Sequence, residues 1–426
     1  MQASLNLLGK RRFLPLFVTQ FLGAFNDNLY KSAMVILVTY AVYNDATKEA
    51  TFNAVAGGLF ILPFFLFSAL AGQLADSMDK SRIIRFVKTA EIVIMIGGAA
   101  GLLLHNVPLL LAALFAMGVH SSFFGPIKYA ILPQHLERDE VLGGTGLVEA
   151  GTYGAILLGT IAGGLLGREH ANVAAASVLG VAVIGRFIGG MVPPAPPEPD
   201  APQPKMDWHI IRASITLVNA TLHIPRLFLA IASISFFWAM GAILAAQFPP
   251  LVKNVLHSNE QVATLFLAIF SVGVAVGSIL INRLLKGRVL AKYSPVSAIA
   301  MGLFVVHLYW NVLNWPVAEG PLLSFRDFIV ISRAEWIMFD LFGVAVAGGM
   351  FVVPLYAFLT TTVPKSETAR TVAANNIVNS GAMVLSAIIL TGLVLAGVSV
   401  AGTLLMVAIA SPVAAWISWK LHLACD

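Results

Sequence analysis

Asp27 and Lys128 are where any chemistry in this chain has to start, because each is an ionisable group inside an apolar run long enough to cross a membrane. Asp27 lies in QFLGAFNDNLYK, residues 20–31, together with Asn26, Asn28 and Lys31. An ionisable side chain at the bilayer centre costs at least about 2.5–3.5 kcal/mol, so it faces a partner or a wet cavity. Lys31 stands four residues from Asp27 on the same helical face, where the two would neutralise each other. The rival partner is Lys128 on another segment. Lys128 follows Pro126, whose missing N–H and ring open a helix locally. The lysine can then meet a freed carbonyl, snorkel to the boundary, or pair with Asp27 or a substrate phosphate as a compact point charge. Glu149 opens a further apolar segment beside Gly146, Ala150 and Gly151, and either joins such a site or pairs with Arg138 or Lys128. This set recognises charge; it does not break bonds. None of the nine histidines has an aspartate five residues on, which excludes an H-x-x-x-x-D acyltransferase. Neither H-E-x-x-H nor a second cysteine beside Cys425 is present, so no metal, cofactor or intramolecular disulfide is expected.

The elements that must hold these charges follow from composition. The 426 residues are 58% hydrophobic and 11% charged, with a mean hydropathy of +0.86, whereas soluble domains are about 25% charged. Runs of about 20 apolar residues recur from Phe13 to Leu421, each spanning roughly 30 Å as a helix. That pattern predicts an all-α membrane protein and excludes an outer-membrane barrel, whose short strands leave no such runs. Polar breaks predict about twelve transmembrane helices, six in residues 13–191 and six in residues 226–421. Lys10, Arg11 and Arg12 precede a first run without a cleavage site, so it is read as a retained helix.

Most Lys and Arg residues fall on one side, among them Lys10 to Arg12, Lys80, Arg82, Arg85, Lys88, Arg283 to Lys292 and Arg370. Lys48, Arg168, Lys253, Arg326 and Arg333 fall on the other. The bias puts both termini in the cytoplasm. A proline-rich stretch, residues 193–205, cannot continue a helix and divides the chain. The predicted units are a six-helix bundle over 1–192, a cytoplasmic linker over 193–225 with an amphipathic segment lying on the inner surface, and a second six-helix bundle over 226–426. The loop Asn314 to Glu335 either rests at the outer interface through Trp315, Phe325 and Phe328 or is an ordinary ordered loop. Residues 121–134 lie over 348–361 so that Phe124 meets Phe351 and Tyr129 meets Tyr356, an internal repeat in which Lys128 falls on Leu355. Asp27 similarly falls on Gly241. Paired six-helix halves with a midplane site are the architecture of alternating-access transporters.

The loop GQLADSMDKSR, residues 72–82, resembles the signature loop of the major facilitator superfamily, G-x-L-A-D-R-x-G-R-K. Gly72, Leu74, Ala75, Asp76 and Lys80 match, while Ser77 and Asp79 stand where a basic residue and a glycine are usual. Gly72 permits close helix packing, and Asp76 is placed to meet backbone donors at the start of a neighbouring helix. The resemblance implies two six-helix bundles, with Gly72, Asp76 and Lys80 forming a cytoplasmic latch between them.

QFLGAFNDN, GPIKYAILPQ (residues 125–134) and GLVEAGTYGAILLGT (residues 146–160) are similar to the lysophospholipid transporter family, including membrane domains fused in some bacteria to phospholipid acyltransferases. That resemblance implies a non-enzymatic carrier flipping lysophospholipids, such as lysophosphatidylethanolamine, from the outer to the inner leaflet of the bacterial inner membrane. It places Asp27 and Lys128 in the polar substrate cavity, where we add Asn28 and Glu149. It also admits a cytoplasmic acyltransferase as partner, and no nucleic acid. The alternatives are a carrier of a small solute or drug, with Asp27 as a proton site, and a non-transporting scaffold.

Overall fold

The computed structural model of the protein describes residues 6–42, 46–167, 170–197, 206–316 and 320–425. Among these residues the chain is helical, without a strand. Twelve long helices follow one another: α1 (Leu14–Leu37), α2 (Ala46–Ser77), α3 (Lys80–Leu104), α4 (Val107–Ala130), α5 (Val141–Leu166), α6 (Ala171–Gly189), α7 (Pro225–Asn254), α8 (Glu260–Leu285), α9 (Ser294–Leu313), α10 (Ser332–Thr361), α11 (Thr368–Leu395) and α12 (Val400–Cys425). Eleven of them are long and apolar enough to cross a membrane. The twelfth, α1, has the length, 24 residues, but Asn26, Asp27, Asn28 and Lys31 break its apolar run. Six helices lie between Leu14 and Gly189 and six between Pro225 and Cys425, close to the 13–191 and 226–421 read from the sequence, because in a bilayer an apolar run can satisfy its backbone only by coiling.

Local signals set the ends. Asp79 caps α3 by accepting from Ser81 N–H at 2.9 Å, and Asn106 caps α4 by accepting from Leu109 N–H at 3.0 Å. Asp79 has φ −61°, so the position where the superfamily loop carries glycine needs no left-handed backbone here.

By its contacts the chain forms two compact units, one of Gln2–His223 with Leu359–Ser380, the other of Ile224–Phe358 with Gly381–Asp426. In the first, α1 packs chiefly on α5 and α6, α2 on α4, and α3 on α6 and α4. The α1–α5 approach depends on glycine. A Cβ at Gly159 would lie 2.4 Å from Phe25 O, and one at Gly163 the same 2.4 Å from Leu29 O. In the second unit α9 and α7 pack on α12. The repeat shows in matching helix pairs: Gly118 of α4 closes on Phe60 of α2, and Gly349 of α10 on Val274 of α8. Tyr129 and Tyr356 are both buried, one in each of these paired helices.

Residues 193–197, the described part of the proline-rich stretch, lie along the first unit. Asp79 Oδ1 accepts from Ala195 N–H at 3.0 Å, Ala195 O accepts from Lys80 N–H at 3.1 Å, and Gln134 donates to Pro196 O at 3.2 Å. The rest of that stretch, Lys205 and Arg168 fall outside the described residues. A surface helix, Ile210–Leu222, follows. Ala213, Leu217 and Val218 pack with Ala69 and Ile377, while Trp208, Ile211 and Ile215 point outward and are exposed. Trp315 and Phe328, either side of the undescribed residues 317–319, are anchored after α9. Trp315 stacks on Phe328 at 5.3 Å and donates to Leu256 O at 3.2 Å, and Phe328 reaches Phe266 in the core.

Candidate functional site

Two polar clusters sit within the first unit, and α1, α3, α4 and α5 supply them. In the first, Asn26 and Asp27 leave α1 in different directions because successive helical residues are about 100° apart. Asn26 turns to α3 and donates to Glu91 Oε1 at 2.8 Å. Asp27 turns to α4 and accepts from Ser121 Oγ at 2.6 Å. Glu91 Oε2 also holds Lys88 Nζ at 2.6 Å, with His120 Nε2 at 3.3 Å. Gly23 makes room for the ammonium, since a Cβ there would lie 2.8 Å from Lys88 Nζ. The same ammonium lies 5.4 Å from the centre of the Phe124 ring. His120 Nδ1 is 3.4 Å from Ser121 Oγ, so the Glu91 group and the Asp27 group form one chain of contacts.

The second cluster joins α1, α4 and α5. Lys128 Nζ donates to Thr152 Oγ1 at 3.5 Å and lies over the Tyr129 ring at 4.8 Å. Thr152 Oγ1 donates to Gln20 Oε1 at 3.0 Å. Tyr129 donates to Glu149, which is fully buried. Among the described residues no ion pair joins Asp27 to Lys128 or to Lys31, and Lys31 Nζ instead faces the Phe60 ring at 5.6 Å. Tyr129 links Lys128 to Glu149, since the ammonium lies over its ring and its hydroxyl donates to the carboxylate. Asn28 donates to Ala24 O at 2.8 Å, within its own helix.

Asp27 Oδ1 and Glu149 Oε2 are buried acceptors without a hydrogen-bond partner among the described residues. Leaving such an acceptor unmet costs about 1–3 kcal/mol. Glu149 belongs to the Lys128 cluster through Tyr129, and Asp27 to the Ser121 cluster, so each cluster keeps one acceptor open to a donor. Among the described residues no group of three or more His, Cys, Asp or Glu side chains is gathered to hold a metal.

Asp76 lies at the end of α2. Its Oδ1 accepts from Ala369 N–H, and its Oδ2 accepts from Arg370 N–H and Arg370 Nε–H, each at 3.0 Å. The two backbone N–H groups are free donors of the first turn of α11, and a carboxylate there also meets the positive end of the helix dipole. Gly72, one turn earlier, lets the chains close. A Cβ there would lie 2.7 Å from Ala373 Cβ and 2.9 Å from Arg370 Cα. Lys80 is buried in the first turn of α3 beside Ala195. Burial pushes the Asp79 carboxyl up, but the Ala195 and Ser81 donors and the Arg82 charge outweigh it and hold the group below its ordinary value.

Sequence reasoning missed Lys88, Glu91, His120 and Asn26 as a connected group. The charge tally sets Lys88 with the loop residues, whereas the structure buries it completely inside α3. The available signal is Glu91, three residues further along within the same apolar run.

The sequence profile described as Major Facilitator Superfamily matches residues 16–387. The chain is 27% identical over 377 residues to a protein of Escherichia coli O157:H7 named "Lysophospholipid transporter LplT", covering 86% of this chain and 85% of that one. A protein of the same name from Citrobacter koseri is also 27% identical over 377 residues, covering 87% and 86%. Among solved structures, the fold is similar to the transporter FucP in its outward conformation, with a TM-score of 0.72, 11% identity and coverage of 96% and 98%. It is also similar to a bacterial homologue of the iron transporter ferroportin in an outward-facing state, with a TM-score of 0.67, 13% identity and coverage of 96% and 99%.

Proposed function

The chain belongs to the Major Facilitator Superfamily and is a multi-pass membrane transporter rather than an enzyme, and from that premise we propose that its cargo is a lysophospholipid. It moves the lipid from the outer to the inner leaflet of a bacterial inner membrane by alternating access, with both termini cytoplasmic. The observation that carries this is the 27% identity to proteins named lysophospholipid transporters, sustained over 86% of the chain rather than confined to the superfamily loop.

The chemistry of the buried clusters agrees with that cargo. A lysophospholipid brings a phosphate, a free hydroxyl and, in the ethanolamine lipid, an ammonium. Lys128 takes the anionic group as a point charge. The unmet oxygens of Asp27 and Glu149 accept from the donors. Asn28, whose amide donates to Ala24 O within α1, adds a weaker polar contact. Gly72, Asp76 and Lys80 serve as the latch that holds the start of α11 in one conformation. An acyltransferase that restores the second acyl chain is the partner this cargo calls for.

The test is leaflet-resolved uptake by the purified full-length protein in liposomes, comparing labelled lysophosphatidylethanolamine with a diacyl lipid and a sugar. Uptake of the lysolipid alone above empty liposomes is expected. Lysolipid rates equal to those of empty liposomes overturn the proposal, and uptake of the sugar instead supports the small-solute reading.

A further inference from the structure

His307 of α9 and Asp340 of α10 form a polar pair in the second unit, remote in sequence from both clusters described above. His307 Nδ1 lies 2.7 Å from Asp340 Oδ1, and Asn311 Nδ2 donates to Asp340 Oδ2 at 3.1 Å. Both oxygens of the fully buried carboxylate are thus occupied. A carboxylate only accepts, so in the neutral ring the proton sits on Nδ1 and Nε2 is left as an acceptor. The Asp340 side chain is 0% exposed and that of His307 is 47% exposed. With Nδ1 turned inward, the exposed part of the ring carries Nε2, which has no partner among the described residues.

The surroundings fix what this nitrogen faces. Leu303, Trp310, Trp336 and Phe339 are all exposed large apolar side chains on the same two spanning helices. The surface is therefore one that meets lipid. Trp rings at such a surface mark the headgroup level. His307 touches the Trp336 ring at 5.8 Å, and Trp310 lies one turn further toward the end of α9 at Leu313. The imidazole edge consequently sits just beneath the aromatic belt, at the depth of lipid glycerol and ester groups. By the orientation proposed above, that is the outer leaflet.

An interhelical clamp alone leaves this arrangement unexplained. The Asn311–Asp340 hydrogen bond already ties α9 to α10, which leaves the outward Nε2 over for a donor at glycerol depth. A diacyl lipid has only esters at glycerol depth, and esters have no donor. A monoacyl glycerophospholipid has a free hydroxyl there.

We propose that His307, oriented by Asp340, is a surface subsite that accepts the free glycerol hydroxyl of a monoacyl glycerophospholipid in the surrounding leaflet, before the lipid enters the carrier. This rests on the lysophospholipid reading and deepens it. It makes the lipid-facing surface of α9 and α10 a selector of monoacyl over diacyl lipid, with His307 in contact with substrate and Asp340 as a positioning residue.

The experiment measures equilibrium binding to the full-length protein in nanodiscs of diacyl phospholipid. The probes are 1-acyl lysophosphatidylethanolamine and its 2-deoxy analogue, which keeps the chain and the headgroup. The wild type should prefer the hydroxyl lipid about five-fold, the factor that one neutral hydrogen bond of usual net strength supplies. His307→Phe should lower that ratio several-fold while leaving deoxy binding unchanged, and Asp340→Asn should lower it by releasing the tautomer. A purely structural pair would weaken both probes together and keep their ratio. Equal wild-type binding of the two probes, or an undiminished ratio in His307→Phe, overturns the inference. If uptake of lysolipid persists in liposomes under either result, the transport function stands without this subsite.

Discussion

Lys88 Nζ lies 2.6 Å from Glu91 Oε2 on adjoining turns of α3, with the two side chains 0% and 2% exposed. Such a pair is no proof of net stability, since desolvating two ions offsets their attraction. Its components are nonetheless dependent on each other. Lys88→Met leaves Glu91 with only Asn26 and His120 as partners and should destabilise the protein by about 3–5 kcal/mol. Lys88→Met with Glu91→Leu should recover much of that loss. Thermal midpoints in detergent measure both, and a Lys88→Met protein as stable as wild type would show that the pair is already opened by water.

Lys128 lies over the ring of Tyr129, whose hydroxyl donates to Glu149, whereas Asp27 is held by Ser121. Lys128→Met and Glu149→Gln should each reduce lysolipid uptake several-fold, and together less than multiplicatively, as coupled neighbours do. Lys128→Met with Asp27→Asn should come closer to multiplicative. Double-mutant cycles on uptake, normalised to folded protein, decide it. A stronger coupling of Lys128 to Asp27 than to Glu149 would restore the direct pairing of those two charges as the working unit of the site.

The contrast between these two groups shows what the chain discloses. The helices are legible because an apolar run of about 20 residues has few other outcomes in a bilayer. Asp27 and Lys128 are legible because each is stranded in such a run. Lys88 is hidden by position: it ends a basic series beginning at Lys80, so the positive-inside pattern absorbs it. His120 has no spacing that marks it, because its partner Glu91 is on another helix. His307 and Asp340 are 33 residues apart on different helices, so no periodicity within one helix can pair them. Packing that brings helices together, rather than pattern along one helix, creates these contacts.

Glu140 fastens the entry to α1. Its carboxylate accepts from Arg12 Nη2 at 2.7 Å and from the Lys10 ammonium. Burial raises the carboxyl, but the Lys10 and Glu137 donors and the Arg12 charge outweigh it, so the group is held below its ordinary 4.5. A depressed folded-state value means that the contribution is complete above the unfolded value and is lost as pH falls through the folded one. Glu140→Gln should therefore be less stable than wild type at neutral pH, by a modest amount because its basic partners stay partly exposed. The gap should close on acidification below about pH 4.5. Melting both proteins across that range tests it, and a gap independent of pH would assign the effect to packing.

Asp76 caps α11 with three contacts at 3.0 Å, to Ala369 N–H, Arg370 N–H and Arg370 Nε–H. Asp76→Asn keeps the side chain's shape but removes its charge and one acceptor oxygen. The Asn amide, a donor, must then face the donors of the helix start. The charge–dipole contact alone is worth about 0.3–2 kcal/mol, so amide exchange at Ala369 and Arg370 should speed up by roughly two- to thirty-fold in the variant. Exchange in the middle of α3, which Asp76 does not touch, should stay unchanged. Asp76→Glu restores the charge on a longer stem and should recover only part of the protection, because Gly72 brings the chains too close for the extra methylene to be taken up without strain. Equal exchange at Ala369 and Arg370 in wild type and Asp76→Asn would remove the cap, and with it the latch, as an account of why this carboxylate is buried.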